Sequence, residues 1–504
     1  MDLTRREMLA GSAAAIALSG CANTAARGAI TGIDYRQHDA LSLAQLVAHG
    51  EVTPLELLEE AIERTQRQDA RLNFLAQEMF DYGRQKIAAG LPDGPFTGVP
   101  FLEKDLHMHI AGYRSGQGSR LYDGFIAEET SELVRRHEAA GLVIFGKTTS
   151  PEFGLTGTTE SIAEGLTRNP WNLERSTGGS SGGAAAAVAS GVIPLAHASD
   201  GGGSIRIPAS ACGLFGLKPS RGRVPMGPLR TEGWGGMSTN GALSRSVRDT
   251  AALLDATHGL EPGSRYGARQ PDGTFLEQLT RDPGRLRIAL MLEPVSGAPI
   301  ELEVIEAARA AARLCESLGH HVEEASIELD AQRIGEANFS VISTALAHEI
   351  DLRAAQAAIE VGPDVLEPIT LGFYHYGKQV PGTAVAAANV VHQEESVKVG
   401  RFMANYDVVL SPVLASSPAP LGIHGLNNTD FAAWGAAVAA YTPFPGVFNM
   451  TGMPSMSVPL AMSSDGLPIG IMFSSHHGNE DGLLQLAGQL ERAAPWFDHV
   501  PPLA

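Results

Sequence analysis

The sequence predicts an α/β protein, a single large domain with a mixed, mostly parallel central β-sheet covered by helices on both faces. Three observations carry this expectation. Helical segments alternate with short, wholly apolar runs along the 504-residue chain, and such runs belong to strands buried on both sides. Hydrophobic residues make up 44% and charged residues 18%, the balance of a chain with a substantial core. No fixed-period repeat or linker-like composition divides it, although about Pro283 to Pro381 reads as a semi-independent lobe.

The first 28 residues are a separate matter. Thr4-Arg5-Arg6 precedes the apolar run Met8 to Leu18, which is too short to span a bilayer and has the shape of a signal h-region. The paired arginines resemble a twin-arginine export signal, and Leu18-Ser19-Gly20-Cys21 resembles the cleavage box of bacterial lipoproteins. The chain is therefore expected to be exported, either periplasmic or anchored to the membrane through a lipidated Cys21. Export without lipid is the plainer alternative.

Beyond the leader, Ser42 with Gln45 and Thr53 with Glu56 form two capping boxes, the second with Pro54 at the first helical position. The helix after Thr53 places Leu57, Leu58, Ala61 and Ile62 on one side. Phe96 to Asp105 is strand-like and ends in a lysine, Lys104. Thr130 opens a helix with Leu133, Val134 and His137 inward, closed by Gly141, and Leu142 to Phe145 reads as a buried strand. Strands are then expected over Leu286 to Leu292, His321 to Ile327, Val408 to Pro412 and Ile469 to Phe473. Helices are expected over Leu302 to Leu318, Ala345 to Val361 and Ala384 to Met403.

Charge and cysteine content narrow the function. Thirty-seven basic against 56 acidic residues give a formal charge of −19, which speaks against nucleic acid, whose phosphates need clustered Lys and Arg. Three cysteines, one of them Cys21, supply no disulfide framework, so Cys212 and Cys315 read as small buried hydrophobes.

Two motifs mislead. Gly141 to Thr148 matches G-x-x-x-x-G-K-T, but Leu, Val, Ile and Phe fill the positions that should form a phosphate-binding loop, and a helix precedes them. Gly178-Gly179-Ser180-Ser181-Gly182 matches the nucleophile elbow G-x-S-x-G, yet Asn169 to Arg175 is a poor strand to introduce it. Its triad would draw on an otherwise unmarked histidine such as His320 or His424. The pairs His107/His109, His320/His321 and His476/His477 lack the companion ligands of a metal site.

The stretch from Arg175 to Arg206 is where chemistry concentrates. Ser180 and Ser204 lie 24 residues apart, each among glycines, with a run of small residues suited to a tightly packed helix between them. So many glycines in one place shape backbone for close approach, as a reacting carbonyl requires. Gly178 to Gly183, Asp200-Gly201-Gly202-Gly203-Ser204-Ile205-Arg206-Ile207-Pro208 and Cys212 to Pro219 together resemble the signature of the amidase signature family. Lys104-Asp105, Gly241 to Val247 and Gly452 to Pro459 resemble its flanking patterns. Within the family, Arg168 to Leu173 and Arg206 to Ser210 look closest to the branch acting on 6-aminohexanoate cyclic dimer. The resemblance covers residues 29–504, with a signature core of about 95–260.

The resemblance implies the family's α/β fold and its roles. Ser204 would be the nucleophile, Ser180 a bridging serine whose peptide bond from Gly179 is cis, and Lys104 the base. Lysine accepts a proton only when neutral. Moving its pKa from ~10.4 to ~7 takes roughly 4.6 kcal/mol of burial and field effect. Gly201, Gly202 and Gly203 would offer backbone donors to the oxyanion, with the N-terminus of a helix opened by Ile205 adding to them. Asp200 and Arg206 would pair to fix that loop. The family often has isoleucine or threonine after Asp200, and Gly201 should make the loop floppier.

The expected activity is hydrolysis of small aliphatic, lactam-type, cyclic or oligomeric amides through an acyl-enzyme, without metal or other cofactor. Tyr441, Phe444, Phe448 and Met450 are candidates for an acyl pocket or for core. A homodimer is one candidate assembly. Rival readings are an ester or carbamate hydrolase, a tRNA-amidating subunit, and a lipid-anchored binding protein without chemistry.

Overall fold

The computed structural model describes residues 34–227 and 230–502. The expected export signal, with Cys21, lies outside the described residues. Three strands, β1 (Leu75–Glu78), β2 (Pro100–Lys104) and β3 (Val143–Thr148), form a small sheet in the order β1-β3-β2. Two short hairpins follow, β4 (Glu160–Ser161) with β5 (Gly165–Leu166), and β6 (Arg168–Asn169) with β7 (Asn172–Ser176).

Eight further strands build the main sheet: β8 (Leu195–Asp200), β9 (Phe215–Lys218), β10 (Thr239–Ser244), β11 (Arg287–Leu290), β12 (His321–Glu324), β13 (Val408–Pro412), β14 (Ser455–Met462) and β15 (Pro468–Ser475). Their order is β12-β11-β13-β15-β14-β9-β10-β8. The sheet is mixed, but the expectation that it is mostly parallel fails. Only β11 pairs in parallel, with β12 and β13, while the other five pairings are antiparallel. Burial of a strand on both faces makes it apolar throughout whichever way its neighbours run. The sequence pattern therefore carried no information on direction.

Residues 35–504 form a single unit, so 283–381 is no separate lobe. Its strands β11 and β12 are hydrogen-bonded into the main sheet through β13. Helices Arg206–Cys212, Leu302–Ser317 and Glu480–Ala493 pack against that sheet. Ala331–Ala357 starts well before the expected Ala345 because Asp330 caps it, accepting from the Arg333 N–H at 3.0 Å. It packs on Pro368–Gly377 and Gly382–Met403, the first of which the sequence pattern did not reveal.

Local signals mostly hold. The Thr53/Glu56 capping box is formed, and Leu57, Leu58, Ala61 and Ile62 are buried. The Ser42/Gln45 box is not: the first helix, Ala40–Ala48, is capped by Asp39, whose side chain takes the Ser42 N–H. Gly141 to Thr148 is no phosphate loop, since β3 is buried throughout and Lys147 Nζ donates to the Arg114 carbonyl at 2.6 Å. Among the described residues no helix is long and apolar enough to cross a membrane.

Two features position the site. The helix Gly182–Ala189, of glycine, alanine and one valine, is buried at every position and packs against both β2 and β8. Its slimness is required, because a Cβ on Gly182 would lie 2.2 Å from Thr177 Oγ1. That helix brings the end of the small sheet against the edge of the large one.

Candidate active site

Lys104 is the last residue of β2 and is wholly shielded from solvent. Its Nζ lies within hydrogen-bonding distance of three hydroxyls: Ser180 Oγ at 2.7 Å, Ser181 Oγ at 3.0 Å and Ser199 Oγ at 3.1 Å. Hydroxyls solvate an amine without fixing it as a cation. Burial lowers the Lys104 pKa to about 7, the charge of Asp200 working in the opposite direction. This is the value a base operating near neutrality needs.

Ser180 sits at the turn between β7 and the small-residue helix. The backbone there is crowded: a Cβ on Gly179 would lie 2.3 Å from the Thr158 carbonyl oxygen. The Gly179–Ser180 peptide bond is cis. Ser181 Oγ in turn donates to the Ser199 carbonyl at 3.2 Å, tying this turn to β8.

Ser204 lies in the turn between β8 and the helix Arg206–Cys212. Asp200 organises that turn. Its carboxylate accepts from the Gly203 N–H at 2.6 Å, the Ile205 N–H at 3.1 Å and Asn449 Nδ2 at 2.8 Å. Arg206 adds a two-pronged pair, Nε and Nη2 each at 3.0 Å. Burial would raise the Asp200 pKa, but Arg206 outweighs it and holds the carboxyl far below its usual range. The fork also reaches Pro445 O at 2.9 Å, anchoring the turn to a distant segment.

Exposure is graded along the three residues, with Lys104 at 0%, Ser180 at 2% and Ser204 at 8%. Ser180 and Ser204 open into one cavity with Ser199, Asp200 and Gly201. Its apolar wall comes from Leu106, Phe153, Met226 and Trp234. Tyr441, Phe444 and Phe448 belong to a core cluster instead, and Met450 is buried outside the cavity wall.

Two expectations for the glycines need correction. The Gly203 N–H is committed to Asp200, so this residue shapes the turn and offers no free donor. Gly201 leaves no slack, because the Trp234 ring stands where its side chain would be, 2.7 Å from a built Cβ. The triad of the elbow motif also fails. Asn172–Ser176 is a strand after all, but it pairs with β6 and bridges Pro420 through Arg175, apart from both sheets. His320 accepts from the Leu286 N–H and meets Gln489, while His424 stacks on Tyr441, and neither lines the cavity. Among the described residues no group of three or more His, Cys, Asp or Glu is placed to hold a metal ion.

Sequence reasoning missed Ser199, Asn449 and Trp234. For Ser199 a signal existed: side chains alternate along β8, so Ser199 lies on the same side as His197, whose Nδ1 meets the Lys104 N–H at 3.3 Å.

A family model described as Amidase matches residues 56–484. The chain belongs to the amidase signature family. It is an amidohydrolase, acting on carbon–nitrogen bonds of amides. This amidase is 38% identical over 477 residues to 6-aminohexanoate-cyclic-dimer hydrolase of Paenarthrobacter ureafaciens, covering 92% of this chain and 96% of the relative. It is 36% identical to a putative amidase, AmiC, of Mycobacterium tuberculosis strain H37Rv, covering 92% and 97%. A solved structure of 6-aminohexanoate cyclic dimer hydrolase superposes with a TM-score of 0.90 at 36% identity, over 94% of this chain and 100% of that one. A bacterial aryl acylamidase of the same family gives 0.83 at 27% identity, over 92% and 98%.

Asp200→Asn removes the charge that answers a fully buried Arg206. The expected loss is about 3–5 kcal/mol of stability, read as a lower midpoint of denaturant unfolding. An unchanged midpoint would mean that the pair does not hold the turn.

Proposed function

We propose that this amidase cleaves its substrate through Ser204 as nucleophile, Ser180 as proton relay and Lys104 as base. The observation that carries the reading is the buried Lys104 amine, at a pKa of about 7 and 2.7 Å from Ser180 Oγ, beside a cavity that Ser204 shares. A neutral Lys104 takes the Ser180 proton as Ser180 takes the Ser204 proton, and Ser204 Oγ attacks the amide carbon. The relay leaves the attacking face clear of the base.

Backbone donors at Gly201 and Gly202 would meet the oxyanion, and the adjoining helix N-terminus adds its dipole in the same sense. On collapse the C–N bond breaks and the amine departs with the proton returned through Ser180, leaving an ester on Ser204. Water, deprotonated by the same relay, then releases the acid and restores the serine.

The substrate we infer is an aliphatic, lactam-type, cyclic or oligomeric amide such as 6-aminohexanoate cyclic dimer. Support comes from the relatives of that name and from the apolar cavity wall. We further propose export and attachment of the chain to a membrane through a lipidated Cys21.

The pH dependence follows from the lysine. Below about 7 Lys104 is protonated and cannot accept, so kcat/KM should fall about tenfold per pH unit. Above it the amine is neutral and the rate levels off. Ser204→Ala should reduce hydrolysis to background, and Lys104→Ala should cost about 10²–10⁴ in kcat. An acid-favouring profile in a steady-state assay would refute the base. For the anchor, metabolic labelling with an alkyne fatty acid should mark the full chain and spare Cys21→Ala; equal labelling of both refutes it.

A further inference from the structure

Gly201 and Trp234 fit each other. A Cβ on Gly201 would lie 2.7 Å from both Cε3 and Cζ3 of the Trp234 ring, so the indole edge fills the space a side chain at 201 would need. Trp234 itself has φ +50, in the left-handed region that bulky residues avoid, and Gly235 and Gly236 follow at +62 and +86. Strained backbone of this kind persists only where surrounding contacts enforce it. Here Arg221 Nε donates to the Gly236 carbonyl and its Nη2 to the Met450 carbonyl, while the indole packs on Met237, Ala337 and Val341.

The ring so placed faces the reacting serines across a small space. The cavity is about 50 Å³, so the indole confines only the part of a substrate that lies next to the scissile carbonyl. An unbranched methylene chain is slimmer than a phenyl ring and asks less of the room that the indole leaves there.

We propose that Trp234 is the specificity-determining residue of this amidase: seated in the room left by Gly201, it admits an unbranched aliphatic arm next to the scissile carbonyl and excludes an aryl ring. The proposal rests on the Ser204 hydrolase reading and adds the shape of the substrate to it. Gly201 is its complement, since any side chain there would displace the indole from its seat.

The test compares kcat/KM for hexanamide and benzamide in wild type, Trp234→Ala and Trp234→Phe, with fluorophosphonate labelling of Ser204 as the check on fold and nucleophile. Wild type should favour hexanamide. Trp234→Ala should shift the ratio at least tenfold toward benzamide, chiefly through KM, with Trp234→Phe between them. Gly201→Ala should lower hexanamide turnover, and adding Trp234→Ala should recover at least tenfold of that loss. A ratio unchanged within twofold in labelled variants, or a Gly201→Ala defect that Trp234→Ala does not relieve, overturns the proposal. A wild-type chain that neither labels nor cleaves either amide overturns the hydrolase reading, and this proposal with it.

Discussion

Two electrostatic demands meet at Lys104. Removing it from water favours the neutral amine, and the negative charge of Asp200 favours the ammonium. The neutral form becomes accessible near pH 7 because burial outweighs an Asp200 charge that is answered where it stands. Arg206 pairs with both carboxylate oxygens, and two backbone amides and Asn449 fill the remaining acceptor positions. A carboxylate paired in this way projects more nearly the field of a dipole than that of a bare charge, and such a field weakens faster with distance. The ion pair thus sets the shape of the Ser204 turn and also spares Lys104 from being held as a cation.

That arrangement depends on how the two sheets meet. Lys104 ends a strand of the small sheet, and Asp200 ends the edge strand of the large one. Between them lies a helix with almost no side chains, so the two strand ends approach closely enough for Lys104 to reach Ser199. The seam is polar rather than apolar: Glu103 accepts from His137 at 2.7 Å and lies 3.4 Å from His197 on β8. Burial pushes the His197 pKa down to about 4, with Glu103 opposing, so the imidazole stays neutral beside the amine. A cationic imidazole there would deepen the penalty on a charged lysine, and a second bare carboxylate would cancel it.

The parts legible in the sequence were those written in consecutive residues. Glycines and serines between Arg175 and Arg206 announced a backbone built for close approach, and the Asp200–Arg206 pair lay within one turn of chain. Strand existence was legible for β2, β3 and β13 because each opens on a short apolar run. Strand direction was not, since antiparallel strands covered on both faces give the same runs. The cap of the first helix was misread because Asp39, just outside the apolar pattern, competes with Ser42 for the same role and wins by accepting the Ser42 N–H. Asn449 was out of reach for a different reason: its link to Asp200 joins segments that only the completed sheet brings together.

Gly201 shows why a local reading of a catalytic loop falls short. Judged alone, a glycine beside the nucleophile means freedom, and the loop should be loose. In the folded chain the same absence of a side chain is filled by Trp234, a residue from an irregular segment with no periodicity to flag it. The looseness expected from one residue is removed by another that is over thirty positions away. Chemistry and shape are therefore encoded differently here. Lys104 sits at a strand end, and Ser180 and Ser204 in turns that lead into helices, where burial and hydrogen bonding hold them. The apolar wall of the cavity comes from connecting segments, and the Trp234 segment is backed by a cluster that includes residues of two helices. Relatives with the same serines and lysine can then differ in the amides they accept without any change in the groups that break the bond.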